Sequence, residues 1–324
     1  HTVDRFSFYE EGATSGEFTM SQDTDVPTGQ GFAKSVKLDC TTADGTLAAA
    51  EVAALEYKME GQDLQYIKKG TSNAESLTLT FWVKTNKTGT YVVTWYDNDN
   101  DRQTSQNYTV SVADTWEKKN ITFAPDTSGT LTNDNTLALA MYFILGAGTD
   151  YTSGSAATAW EVFTGNADNW CGGQTVNMLD NTANYINITG VQLEAGSVAT
   201  DFEVVPYDQS FFRCQRYCVI GGREQVYNEI GNLGIAFSTT QADNNIYLYQ
   251  PMRTIPSLTQ SGSFQLSDAS SASATTSITL MTTQSSSNNV SLRSVVSSGL
   301  TDKRPYRLEA ANSAAAYILL SAEL

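Results

Sequence analysis

Leu77-Thr-Leu-Thr-Phe-Trp-Val-Lys-Thr85 is the stretch that decides the fold class. Successive side chains of an extended strand point to opposite faces. Leu77, Leu79, Phe81 and Val83 therefore share one face, and Thr78, Thr80, Trp82 and Lys84 share the other. The stretch predicts a half-exposed β-strand that carries a tryptophan on its polar side.

Its neighbours repeat the signal. Short runs rich in β-branched and aromatic residues, bounded by turn residues, occur at Phe32–Cys40, Leu64–Lys68, Thr90–Tyr96, Tyr108–Val112, Trp116–Phe123, Leu137–Leu145 and Tyr185–Leu193. Leu137–Leu145 is apolar on both faces, as a strand covered on both sides would be. In Tyr185–Leu193 the apolar set stays on one face only if Gly190 makes a bulge. Trp95 shares a face with Tyr91 and Val93 and is predicted to be core. Helical spacing is scarce, with Leu47–Leu55 and Asp208–Tyr217 the two candidates. Many short strands without intervening helices predict an all-β chain whose residues 1–207 form a jelly-roll β-sandwich. The long segment Gly146–Asn184, rich in Gly, Ser, Thr and aromatics, reads as a functional or loosely ordered loop.

A boundary follows at Pro206–Tyr207. Residues 208–324 predict a second, smaller, sandwich-like β-rich domain, with strands at Gly234–Ser238, Ile246–Gln250, Ser263–Leu266, Ser277–Met281, Val290–Val296, Pro305–Ala310 and Ala316–Ser321. Ser, Thr and Asn crowd residues 257–301, yet Ile278, Leu280, Val290 and Leu292 still alternate there.

Composition narrows the function classes. The 324 residues are 40% hydrophobic and 10% aromatic, enough to build cores, and carry a formal charge of −16. Residues 1–207 hold 11 Lys and Arg against 27 Asp and Glu, whereas residues 208–324 hold eight of each. Neither part offers the basic surface that nucleic acid or an anionic membrane needs. No apolar run approaches the roughly 18–20 residues of a bilayer span. The single histidine is His1, so Ser-His-Asp and Cys-His catalysis and imidazole-bound zinc are not supported. Cys40, Cys171, Cys214 and Cys218 show no C-x-x-C spacing and are expected to be reduced and structural. The chain lacks an initiator Met and opens on a strand-like stretch, Thr2–Tyr9. It is therefore expected to be a piece of a longer polypeptide.

Ile188-Thr-Gly-Val-Gln-Leu-Glu-Ala-Gly-Ser-Val-Ala-Thr-Asp-Phe-Glu203 resembles a segment of bacteriophage tail-fibre and virion-appendage proteins, GVQLE-x-G-x-x-AT-x-FE. In that family a CQRYY-like stretch follows. Here it reads Arg213-Cys-Gln-Arg-Tyr-Cys218, departing at Cys218. Val3-Asp-Arg-Phe6, Thr115-Trp-Glu-Lys-Lys119, Pro251-Met-Arg-Thr-Ile-Pro256 and Ser321-Ala-Glu-Leu324 are similar to further motifs of the same module, in the same order. The resemblance implies a carbohydrate-binding-module-like jelly roll followed by a distal β-domain, and often a homotrimer. It implies architecture more firmly than activity.

Four aromatic residues are candidates for stacking on sugar rings. Trp82 lies on the polar face of its strand. Tyr151, Trp160 and Trp170 lie in the long loop beside Asp150, Glu161 and Asp168. Each has a structural alternative, as a fold residue or an anchor of its loop. Asp97-Asn-Asp-Asn-Asp101 places oxygen ligands at Asp97, Asp99 and Asp101, the alternate spacing that Ca²⁺ favours. However, Arg102 stands where a calcium loop of the EF-hand type needs Gly, no Glu occupies the twelfth position, and a polar hairpin turn after Thr90–Tyr96 is the plainer reading of the string. Beyond Ca²⁺ no cofactor is implied. Glu161 and Asp168 are nameable as a glycosidase pair, but among 35 acids some pair meets that spacing by chance.

The expected function is a non-enzymatic phage virion protein. It would be a tail-fibre or appendage subunit outside the particle, contacting other virion proteins and a host cell-surface glycan. The alternative is a purely architectural component such as a head decoration, collar or sheath fibre.

Overall fold

The computed structural model describes residues 5–12, 14–164, 169–268 and 270–324. The chain forms two compact units. One holds the chain up to Val204 together with Leu324, and the other is Val205–Glu323.

The first unit is a β-sandwich of jelly-roll type. Its strands are β1 (Phe6–Glu11), β2 (Glu17–Asp23), β3 (Ser35–Thr42), β4 (Val52–Glu60), β5 (Leu77–Thr85), β6 (Gly89–Asp97), β7 (Arg102–Val110), β8 (Glu117–Phe123), β9 (Leu137–Ala147), β10 (Glu161–Val162) and β11 (Tyr185–Ala195), with a one-turn helix α1 (Thr149–Thr152). One sheet runs β1-β4-β9-β6-β7-β10 and the other β2-β3-β11-β5-β8. From β3 to β6 the chain crosses from sheet to sheet at every step, so each connection helps close the sandwich.

The inner faces follow the alternation read from the sequence. Leu77, Leu79, Phe81 and Val83 of β5 are buried against Leu139, Met141 and Phe143 of β9 and Tyr91, Val93 and Trp95 of β6. β9 is covered on both sides. Its outward Ala140, Tyr142 and Ile144 lie in a second cluster with Tyr151, Trp170 and Cys171 of the long loop. That loop packs back on the sandwich and adds β10 as an edge strand beside β7.

Two local expectations fail. The Ala-rich stretch expected to be a helix, Leu47–Leu55, instead leads into β4, where Val52, Ala53, Ala54 and Leu55 are buried on both faces between β1 and β9. Pairing on both edges with cover on both faces outweighs the modest helix preference of alanine. Leu64–Lys68 is not a strand but two short 3-10 turns that bury Leu64 and Ile67.

The second unit is also β-rich. After α2 (Tyr207–Gln215) come β12 (Cys218–Gly222), β13 (Gly234–Ala236), β14 (Gln241–Tyr247), β15 (Ser257–Ser261), β16 (Phe264–Ser267), β17 (Ala272–Leu280), β18 (Asn289–Val296), β19 (Pro305–Ala310) and β20 (Tyr317–Ser321). Six of these strands close into a barrel, β13-β14-β18-β17-β16-β19, and the others form a three-stranded sheet, β12-β20-β15. The sandwich-like arrangement expected from the sequence is thus realised as a closed barrel plus a small sheet. Closure removes the sheet edges that an open sandwich would expose.

Candidate functional site

The outer face of β5 carries the residues that the sequence assigned to solvent. The register sets Trp82 between Thr189 of β11 and Lys118 of β8. Thr78 and Thr80, however, are buried. Thr80 donates to Asn120 Oδ1 at 3.1 Å, and Thr78 donates to the Gly196 carbonyl at 2.7 Å. A segment following β11 covers this half of the sheet, which the alternation alone does not reveal.

That segment, residues 196–204, is strapped across β11 by two of its own side chains. Gln192 Oε1 accepts the Glu203 amide at 2.7 Å, while its Nε2 donates to the Asp201 carbonyl at 3.2 Å. Glu194 accepts the Thr200 hydroxyl and the Thr200 amide, at 2.5 and 3.1 Å. Those hydrogen bonds from Thr200 hold the Glu194 carboxyl below the usual glutamate range. The two halves of the GVQLE…ATDFE string are therefore partners in space. Sequence reading recognised the string and missed what it does.

The strap delivers Phe202 edge-on to Phe32, with ring centroids 5.0 Å apart. The expected bulge is present, since the β11–β5 register shifts between Thr189 and Gln192. Phe32, Phe202 and Trp82 then line a surface pocket of about 340 Å³, rimmed by Gln30, Lys118 and Asp201. Three aromatic residues, a glutamine, a lysine and an aspartate thus contribute to its lining. This is the usual make-up of a small-ligand site, with apolar surface for binding and a few polar groups for orientation. Aromatic rings present flat faces to the C–H groups of a sugar or to an apolar side chain.

The other aromatic candidates lie elsewhere. Tyr151 is 2% exposed and Trp170 is 4% exposed, with their rings 5.6 Å apart in the cluster over β9. They anchor the loop and present no face to a ligand. Trp160 is partly buried against the sandwich core and donates its Nε1–H to the Ala124 carbonyl at 3.1 Å. Of the four aromatics, Trp82 alone lines the pocket. Periodicity located Trp82, whereas aromatic content in a long loop did not distinguish anchors from platforms.

The acids are similarly dispersed. Glu161 accepts from Gln103 at 2.9 Å and from Asn169 at 2.5 Å, and Asp168 lies outside the described residues. The Asp97–Asp101 string is a hairpin turn joining β6 to β7. Asp97 turns inward and accepts the amides of Asp99 and Asn100 at 3.0 and 3.1 Å. Asp99 accepts the Thr132 amide at 2.8 Å, and Asp101 accepts the Tyr96 hydroxyl at 2.6 Å. The three carboxylates therefore do not converge on one point, which corrects the reading of Asp97, Asp99 and Asp101 as a shared Ca²⁺ set. Among the described residues no three His, Cys, Asp or Glu side chains gather as a metal set. Cys40 and Cys171 are buried, and none of the four cysteines is in a disulfide.

No family model matches the chain, and no curated protein matches it. Several solved structures align with part of the chain. The enzymatically active domain of bacteriophage CBA120 tailspike protein 4 is 13% identical over 59% of this chain, with a TM-score of 0.31. The alignment spans 19% of that domain's length. A CBM4 structure is 12% identical over 60% of this chain and 88% of its own, at a TM-score of 0.33. The family 11 carbohydrate-binding module from Clostridium thermocellum, solved with a β-1,3-1,4-mixed-linked tetrasaccharide, is 10% identical over 61% of this chain and 92% of its own, also at 0.33. Likeness at this level carries no functional argument.

Proposed function

We propose that the chain is a non-enzymatic structural subunit of a bacteriophage virion, a tail fibre or similar appendage, whose first unit attaches to a host-surface glycan. The observation that carries the glycan reading is the pocket in which Trp82, Phe32 and Phe202 meet Gln30, Lys118 and Asp201. Its size suits one or two sugar residues, so each contact is weak, and many copies on one particle multiply it. The pocket lining includes one lysine and one aspartate in a strongly acidic unit, which favours an uncharged sugar over a polyanionic one. The virion assignment rests on the ordered set of sequence motifs. The test is a glycan array, followed by calorimetry on the best ligand, comparing the full chain with W82A. Binding that W82A abolishes supports the reading, and equal binding by both proteins sinks it.

A second reading is favoured by the second unit. Helix α2 buries none of its residues and carries Tyr207, Phe211 and Phe212 exposed. On β13 the small Gly234 and Ala236 face the barrel interior, while Ile235 between them is 59% exposed. Apolar surface of this kind marks protein contacts. It supports self-association, with the homotrimer as the proposed form, or an architectural place among other virion proteins as a decoration, collar or sheath fibre. Imaging the labelled subunit on the particle separates the two readings. A distal tip fits adhesion, and a buried location fits scaffolding.

A further inference from the structure

Lys69 is 3% exposed, in a unit whose other lysines lie at the surface or near it, and its ammonium sits inside a shell of oxygens. It donates to Asp97 Oδ2, to the Ser128 carbonyl at 3.2 Å and to the Gly129 carbonyl at 3.0 Å, and it pairs with Asp126 Oδ2 at 2.9 Å. The Trp160 ring closes the remaining side, with its centroid 4.8 Å away. Asp97 and Asp126 are 0% and 4% exposed. Asp97 at the end of β6 and Asp126, Ser128 and Gly129 of one loop present two carboxylates and two backbone carbonyls, oxygen ligands of the kind that a hard cation such as Ca²⁺ takes.

The shell does not depend on the lysine alone for its shape. Asn100 donates Nδ2 to both oxygens of Asp97, at 3.2 and 3.0 Å. Arg102 grips Asp126 through Nε at 2.8 Å and a terminal nitrogen at 3.0 Å. Asp126 also accepts the Ser128 amide at 3.0 Å. The two segments holding the four oxygens thus have ties of their own.

The geometry points to a divalent-cation cage whose cation this chain supplies itself, as the ammonium of Lys69. The Ca²⁺-like character of the Asp97 string then has a physical origin. Asp97 is a cation ligand, but it faces inward to Lys69 and not outward with Asp99 and Asp101. The protein's first unit carries its charge compensation covalently and has no need of free Ca²⁺ at this position. Removing the side chain leaves oxygens that must draw in by roughly 0.5 Å to reach the ~2.3–2.6 Å of Ca²⁺ coordination. This inference is independent of the glycan pocket.

The test uses the full chain with K69A, and with K69S, which leaves the same space and adds a hydroxyl oxygen. Tb³⁺ is the probe, since a Tb³⁺ ion in the cage lies against the Trp160 ring and draws excitation energy from it. The expected result is tryptophan-sensitised Tb³⁺ luminescence in K69A or K69S at least tenfold above the unaltered protein. It is displaced by Ca²⁺ and lost when D97N is added. The melting temperature of these variants rises with Ca²⁺, while that of the unaltered protein ignores both Ca²⁺ and chelator. A variant that folds only when Ca²⁺ is present supports the cage equally. If both variants show no gain in luminescence and no Ca²⁺-dependent folding or melting, the proposal is overturned.

Discussion

The ring of Phe32 lies where a side chain on residue 190 would begin. Gly190 has φ of +60°, and a Cβ placed on it would meet Phe32 Cζ at 2.5 Å. The bulge that keeps β11 in register is therefore also the seat of one wall of the pocket. A glycine is required there twice, for its backbone angle and for its missing side chain.

G190A is expected to lose about 1–3 kcal/mol of stability in the first unit, from left-handed strain combined with displacement of Phe32. Urea unfolding followed by tryptophan fluorescence measures the loss. Ligand binding should weaken with it, because Phe32 cannot keep its place.

W82A should separate binding from folding. Trp82 is half-buried on the outer face, so its removal is expected to cost about 1 kcal/mol of stability, less than truncating a core aromatic. Glycan affinity should fall at least tenfold. Calorimetry and thermal melting on the same preparation decide the matter, and a large melting shift without a binding change contradicts the assignment.

Q192A should free the strap without dissolving the sandwich. Its side chain holds the Glu203 amide and the Asp201 carbonyl, and losing these contacts is expected to cost about 1 kcal/mol. Hydrogen exchange at the Glu203 amide should accelerate, while the amides of β5 stay protected.

Acid should loosen the same strap. The folded Glu194 carboxyl titrates below its unfolded value because it accepts from Thr200. Its contribution is therefore complete above the ordinary glutamate range and is lost as pH falls through the lowered folded value. The protection factor of the Thr200 amide, which corrects for the slower intrinsic exchange at acid pH, should fall in that window. In E194Q the pH-dependent fall should be absent.

F211E combined with F212E should reduce the mass of the assembled protein. Both rings are exposed on a helix that buries none of its residues, so two charges there cost the isolated chain little. Light scattering after size exclusion is expected to show a trimer for the unaltered protein and a smaller species for the double variant. A monomer in both cases removes the trimer from the proposal.

Much of the fold is legible because a two-residue period leaves a local mark. The inward set of β5, the double cover of β9, the core position of Trp95 and the bulge at Gly190 all follow from neighbours in sequence. Local marks also mislead where distant partners decide. The alanines before Leu55 favour a helix until β1 and β9 pair on either side of them. Tyr151 and Trp170 look like ligand platforms until they close over β9.

By itself, the sequence determined that this protein is all-β, that its acidity is confined to the first part, and that Trp82 stands on an outward face. Only the tertiary structure decided that the strap at 196–204 returns to form a pocket that Trp82 helps to line, and that Asp97 turns inward to Lys69. Alternation is a property of neighbours along the chain, whereas a pocket or an ion cage is made by residues tens of positions apart. Their meeting depends on which strands pair and on how the loops pack back over the sheets, which neighbours along the chain do not record.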